Sequence, residues 1–283
     1  MKMKMKTKMK MKMKMKNNTS KSKAAILLLI MMLAFCTLAG CGSKEGENEG
    51  EAKADDQGTV TYIAATEPSY APFDSTDEDG NIVGFDMDLL DAIGEDQGFK
   101  VEYQAFEFDA IIPAIQAGNA DIIAAAMNVT EDRAEKVDFS DAYYNSGKVL
   151  LVKLDNDEIT SIDDLTADMK VAAQISTWES EYIQELAEAG TISEAVILNQ
   201  TTDCVLQLQN GDVQAVIMDA PVAEYYENNY KDEIKQLDTL LEPSPMAFAV
   251  AKGNSELLEK INTGLANVKE NGVYDELKEK WFS

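Results

Sequence analysis

Ala120-Asp121-Ile122-Ile123-Ala124-Ala125-Ala126-Met127-Asn128-Val129-Thr130-Glu131-Asp132-Arg133 is the segment from which the architecture is read. Ala120–Met127 is a nearly continuous apolar run, as in a parallel strand buried on both faces. Thr130 then stands as the N-cap of a helix with acidic residues in its first turn. Upstream, Asp109–Ala117 places Ile111, Ile112 and Ile115 at helical spacing and stops at Gly118. Phe99–Ala105 alternates like a strand. Phe85, Met87, Leu89, Leu90 and Ile93 form a helical stripe closed by Gly94 or Gly98. Asp79-Gly80 marks a tight turn, and Val60–Ala65 is an apolar strand. The order β-α-β-α-β requires a parallel sheet with right-handed crossovers, so the fold class is α/β.

Downstream the pattern repeats. Lys170–Ile175 reads as a strand and Trp178–Ala189 as a helix capped by Thr177. Ala195–Leu198 is a strand, Thr202–Asn210 a helix stopped by Gly211, and Val213–Met218 a strand. Residues 220–229 are helical, Met246–Ala251 is a further strand, and helices follow at 255–270 and 273–281. The last helices are expected back on the first half. That gives lobe 1 as 59–150 with 246–283 and lobe 2 as 151–245, with crossings near 148–153 and 241–247. Two crossings make a hinge, and clefts between lobes are common ligand sites.

Composition narrows the function. The 283 residues hold 25 Lys and Arg, 51 Asp and Glu and no His, for a net charge of −26. The absence of His excludes a Ser-His-Asp triad, a Cys-His pair and any His metal ligand. The acidity argues against nucleic acid. No Gly-rich phosphate loop is present. Ser75, Asp77, Asp79, Gly80 and Asp86 only loosely mimic a calcium loop and read as a hairpin turn, so neither a metal nor a cofactor is expected. Residues 1–40 hold ten of the lysines and no acid. The Met-Lys alternation of Met1–Lys16 and the apolar run Ala24–Leu38 read as a secretory signal, too short to span a bilayer as a helix. It ends in Leu38-Ala39-Gly40-Cys41, which resembles the bacterial lipobox; residues 1–40 would be removed and Cys41 lipidated, holding the chain on the outer face of a membrane. Residues 41–58 read as a flexible acidic tether. Cys204, the one remaining thiol, reads as a small core residue.

Arg133 is the only arginine among those 25 cations. It sits just beyond a strand's carboxyl end, where ligands bind in open α/β sheets, and a guanidinium fork there can take a carboxylate bidentately. The residues alone leave a surface pairing with Glu131 or Asp132 equally open.

A series of motifs decides between them. Tyr70-Ala71-Pro72-Phe73, Gly84-Phe85-Asp86-Met87-Asp88-Leu89, Phe108-Asp109-Ala110-Ile111-Ile112-Pro113-Ala114, Gly118-Asn119-Ala120-Asp121, Met127 to Arg133 and Asp138-Phe139-Ser140-Asp141-Ala142-Tyr143-Tyr144 stand in this order. Ser161-Ile162-Asp163-Asp164-Leu165, Gln174-Ile175-Ser176-Thr177 and Gly211 to Asp219 follow. Together, over residues 59–283, they closely resemble the polar amino-acid-binding proteins of bacterial ABC importers, extracellular solute-binding protein family 3. The resemblance implies a two-lobed type II periplasmic-binding-protein fold and a non-enzymatic, monomeric, lipid-anchored receptor. Such a receptor hands a free amino acid to a membrane permease. It also implies roles. Arg133 would clamp the α-carboxylate, aided by Asn128, where the family usually has Thr or Ser, and by the hydroxyl and N–H of Thr177. The Ala126 carbonyl and Asp219 would take the α-ammonium. Phe108 and Tyr70 would pack on the ligand side chain, and Glu67 would meet its distal part. Opposite charges at 133 and 219 then match the two ends of a zwitterion only when the cleft closes. Ser176 departs from the family's usual Gly. Glu67 and the chain's acidity favour a cationic ligand, with cystine and glutamine as the other candidates. A cyclic-acid dehydratase using Glu67 or Glu107, and a sensor-only surface lipoprotein, are the competing functions.

Overall fold

The computed structural model describes residues 53–54, 58–237 and 244–283. The expected signal segment, Cys41 and most of the expected tether lie outside the described residues. Within that tether, Lys53–Ala54 (β1) pairs antiparallel with Thr61 and Val60, so the segment is not coil throughout.

The first half runs β2 (Val60–Thr66), the hairpin β3 (Ser75–Thr76) and β4 (Ile82–Val83), helix α1 (Phe85–Gln97), β5 (Phe99–Ala105), α2 (Phe108–Gln116), β6 (Ile122–Ile123), the single turn α3 (Glu131–Ala134) and β7 (Val137–Phe139). β2 lies between β5 and β6, parallel to both. Helix α1 ends at Gly98 in a left-handed conformation, the second of the two stops the sequence offered. The run Ala120–Met127 is buried as expected, yet only Ile122–Ile123 pairs as a strand. The cause is local. Ala126 adopts φ +45 and its N–H donates to Asp86 Oδ2 at 2.8 Å, which turns the chain out of the ladder.

The second half runs β8 (Tyr144–Ser146), β9 (Lys148–Lys153), a 3-10 turn at Ile162–Asp164, β10 (Lys170–Gln174), α4 (Trp178–Glu188), β11 (Glu194–Leu198), α5 (Thr201–Asn210), β12 (Ala215–Asp219), α6 (Ala220–Asn229) and β13 (Ile234–Gln236). Its sheet has the order β11-β10-β12-β9-β13. The β10–β11 and β10–β12 pairs are parallel, whereas β9 and β13 are antiparallel. Residues 148–153, expected as a crossing, are therefore a full strand of this sheet. The chain then continues through β14 (Ser244–Met246), β15 (Ala249–Ala251), α7 (Ser255–Glu270) and α8 (Val273–Phe282). β14 pairs with β8, forming a two-stranded strap. β15 inserts between β6 and β7 of the first sheet, so the expected single strand over 246–251 is two short ones. Helices α7 and α8 pack on α1.

Both sheets are apolar on both faces, and the alternation explains it. Ala64, Ile122 and Val250 face one cluster with Phe85, Leu89 and Phe248. Ala65, Ile123 and Ala249 face the other side, under Ile111 and Ile115 of α2. In the second sheet Val149 and Leu151 point one way, and Leu150 and Val152 the other. Cys204 is buried in the core, as expected.

Candidate functional site

Strand ends and helix starts meet in a crevice between the two sheets. A narrow cavity is lined by Glu67, Tyr70, Asp74, Phe108, Ala125, Ala126, Asn128, Arg133, Gln174, Thr177, Glu179 and Asp219. Every ligand-contact position named from the sequence is among them. Five residues of this site were not named: Asp74, Ala125, Gln174 and Glu179 in the wall, and Lys148 behind it.

Arg133 sits in the turn α3. Thr130 caps that turn by accepting the Arg133 N–H on its hydroxyl at 3.3 Å. The guanidinium leans on the Phe108 ring, 5.3 Å from its centroid. Its Nη1 donates to the Asn128 carbonyl at 2.8 Å, and Nη2 donates across the crevice to the Ser176 carbonyl at 2.9 Å. None of the ion pairs among the described residues uses Arg133, so the pairing with Glu131 or Asp132 does not form. Burial pulls its pKa below the ordinary arginine value, with Glu179, Glu181 and Asp219 working in the opposite direction. The site thus holds a guanidinium without a carboxylate partner. Ser176 adopts φ +60, the region glycine occupies most readily, which is why glycine suits this turn.

Thr177 caps α4. Its hydroxyl accepts from the Ser180 N–H at 3.1 Å and donates to the Gln174 carbonyl at 2.7 Å. The hydroxyl proton expected for a ligand is therefore committed within the turn. Glu67 is 2% exposed, which excludes a solvated acid. Its Oε2 accepts from Ser69 Oγ at 2.8 Å and from Gln174 Nε2 at 3.0 Å across the crevice. Burial raises its pKa, the two hydrogen bonds oppose the rise, and Glu107 adds to it.

Asp219 ends β12 and is 2% exposed. It starts α6 without a side-chain capping bond, so it is not simply a helix cap. The antiparallel register sets it opposite Lys148, and Lys148 Nζ lies 2.8 Å from its Oδ1. Its Oδ2 accepts from the Tyr70 hydroxyl at 2.6 Å. Lys148 Nζ also contacts Glu179 Oε1 at 2.6 Å and donates to Asn128 Oδ1 at 2.9 Å. Burial works against the Lys148 ammonium, but Asp219 and Glu179 outweigh it and hold its pKa above the usual lysine value. Asn128 Nδ2 and Asp74 Oδ1 are buried without a hydrogen-bond partner.

Asp74 and Asp86 form an acidic pair beneath the floor. Thr66 Oγ1 donates to Asp74 Oδ2 at 2.8 Å, and the Tyr143 hydroxyl donates to Asp86 Oδ2 at 2.7 Å. Burial first, then the charges of Asp86 and Glu67, push the Asp74 pKa well up. Burial likewise pushes Asp86 up to about 7, against the bonds from Ala126 and Tyr143.

Trp178 is 38% exposed, so it is not a core residue. It stacks on Tyr182 with ring centroids 4.7 Å apart and lines the crevice mouth with Ile112 and Pro113.

Of the residues missed, Lys148 heads an apolar strand and is recognisable only once its register against Asp219 is known. Glu179 looked like one of many acids on solvated helix faces. Asp74 sits two residues beyond Pro72 with no charge pattern to single it out.

The family described as bacterial extracellular solute-binding proteins, family 3, matches residues 62–283. The chain is similar to a probable histidine-binding protein of Neisseria gonorrhoeae, 31% identical over 238 residues, 82% of this chain and 86% of that one. It is similar to an arginine-binding extracellular protein of Bacillus subtilis, 32% identical over 233 residues, 81% of this chain and 88% of that one. Among solved structures it is similar to an ancestral arginine-binding protein bound to arginine, at 38% identity and a TM-score of 0.75, covering 79% of this chain and 98% of that chain.

Proposed function

Because the chain belongs to the bacterial extracellular solute-binding proteins, family 3, we propose that it is the amino-acid receptor of an ABC importer and that its ligand is a cationic amino acid, arginine foremost. The observation that carries this reading is the charge inventory of one cavity. A guanidinium without a carboxylate partner lines the same cavity as Glu67, Asp74, Glu179 and Asp219. Arg133 and Lys148 supply two positive charges against those four acids. Acids thus outnumber cations around the cavity, with burial and the charges of Asp86 and Glu67 pushing the Asp74 pKa well up. A ligand with one α-carboxylate and two cationic groups reduces that excess. Burying a charge without such compensation costs several kcal/mol or more.

In this reading Arg133 takes the α-carboxylate, with Asn128 Nδ2 and the backbone at Thr177. Asp219 takes the α-ammonium, with the Ala126 carbonyl beside it. Phe108 and Tyr70 flank the side chain, and Glu67 meets its distal cation, with Asp74 and Glu179 contributing further acid. The protein works outside the cytoplasm, held to the membrane through acylated Cys41 as a monomer, and passes its ligand to a permease. It is a receptor and not a dehydratase. Glu107 is absent from the cavity wall, and Glu67 is tied to Ser69 and Gln174.

A thermal-shift screen of the common amino acids plus ornithine and cystine tests this. Arginine, lysine, ornithine or histidine should raise the midpoint, with about 2.7 kcal/mol of stabilisation at a hundredfold excess over Kd. Arg133→Ala should keep its own midpoint yet lose the response. If no amino acid moves the wild-type midpoint, the proposal fails.

A further inference from the structure

Lys148 is 3% exposed, and an ammonium has three N–H donors. Two of them have a hydrogen-bond acceptor, Asp219 Oδ1 and Asn128 Oδ1, while Glu179 Oε1 lies 2.6 Å away as an ion-pair partner. The bond to Asn128 differs from the other two contacts, because Asp219 and Glu179 belong to the second-sheet half while Asn128 lies just before α3 in the first. The bond therefore spans the crevice.

Asn128 is the point where the two cations meet. Arg133 Nη1 donates to its backbone carbonyl, and Lys148 donates to its side-chain oxygen. A primary amide has an acceptor at one end and donors at the other, whereas an ammonium only donates. Lys148 thus fixes which way the amide faces. The turned-out Nδ2 is buried without a partner, in the wall of the cavity that also holds Arg133. A buried donor left unpaired costs about 1–3 kcal/mol, so this one is poised for an acceptor that arrives with the ligand.

We propose that Lys148 is a positioning residue for ligand capture: by accepting no bond and donating one to Asn128 Oδ1 across the crevice, it turns Asn128 Nδ2 toward the ligand carboxylate beside Arg133. The proposal rests on the reading of the cavity as an α-amino-acid site. Lys148 touches no ligand; it acts through Asn128. It also strengthens closure, since its bond to Asn128 exists only while the two halves are together.

A double-mutant cycle on ligand affinity tests it. Wild type, Lys148→Met, Asn128→Ala and the double variant are titrated with L-arginine in a calorimeter, and their ligand-free thermal midpoints are recorded. Lys148→Met leaves Asp219 and Glu179 without a counter-ion, so the same cycle is run on a Glu179→Gln background, where one of those charges is already gone. The expected result is an affinity loss of about tenfold for Lys148→Met when Asn128 is present and about twofold or less when it is absent, a coupling typical of residues in contact. A role confined to holding the fold would lower the midpoints and leave the affinity effects additive. Additive affinity losses on both backgrounds, or arginine binding by Lys148→Met as tight as wild type, would overturn the positioning role. Wild-type protein that binds no arginine or other cationic amino acid would instead overturn the amino-acid reading beneath it.

Discussion

Asp86 shows how one side chain ties the floor of the site to the fold. Its Oδ2 takes the Ala126 N–H and the Tyr143 hydroxyl, while its Oδ1 is buried without a partner. With its pKa pushed up to about 7, the native state keeps a proton that an unfolded aspartate releases near pH 4. The native protein therefore binds more protons between those values, and stability falls as pH rises through that window, by at most about 1.4 kcal/mol per pH unit for one proton. Asp86→Asn cannot titrate and keeps a carbonyl for Ala126 and Tyr143. Urea unfolding from pH 5 to 8 should show a shallower decline for this variant. Identical slopes for the two proteins would mean that Asp86 is ionised in the fold. At this scale the sequence singled out Arg133 by its uniqueness and its place in a capped turn, but left a surface pairing equally open until the series of motifs decided it. It did not announce Lys148 or Glu179, because a charge's partner across a sheet depends on register, which a single strand's residues do not encode.

At the scale of the element, the start of α1 depends on Gly84. Its φ is +155, and a Cβ there would lie 2.0 Å from the Phe73 carbonyl oxygen. That close approach lets the Asp86 N–H donate to the Phe73 carbonyl at 3.0 Å and brings Asp74 and Asp86 together under the crevice. Gly84→Ala should cost about 3 kcal/mol or more, combining backbone strain with overpacking against main chain that has no room to move. Chemical denaturation measures it, and a loss below about 1 kcal/mol would show that the hairpin can shift aside. Helices and long strands were legible from the pattern: α1, α2 and α5 appear where apolar spacing and glycine stops put them, and α4 where Thr177 caps it. The short strands were not. In Ala120–Met127 the hydrophobic run persists beyond the ladder, because burial is set by the layers above and below while pairing ends at Ile123, ahead of the Ala126 bend. Lys148–Lys153 joins the second sheet antiparallel, an arrangement that an apolar run alone does not distinguish from a buried connector.

The whole molecule brings these parts to one place. Polar bonds join its halves at Arg133 to Ser176, Tyr70 to Asp219, Gln174 to Glu67 and Lys148 to Asn128, all around the same cavity. The strap of β8 with β14 links the two halves of the chain, and β15 returns it to the first sheet. The α/β class and the return of the C-terminal helices followed from the order of strands and helices. A closing cleft was expected from the resemblance, but the contacts across the cavity join residues far apart in sequence, so those contacts became visible only in three dimensions.

The central claim is that two ionised ends of one small molecule are held by Arg133 and Asp219. Calorimetric titration of the wild-type protein with arginine and with two analogues, each missing one end, addresses it directly. Agmatine lacks the α-carboxylate, and 5-guanidinopentanoate lacks the α-ammonium. The account predicts binding of arginine and a loss of at least about a hundredfold for each analogue, since a buried charge left without its partner costs about 3 kcal/mol or more. Agmatine or 5-guanidinopentanoate binding as tightly as arginine would contradict it.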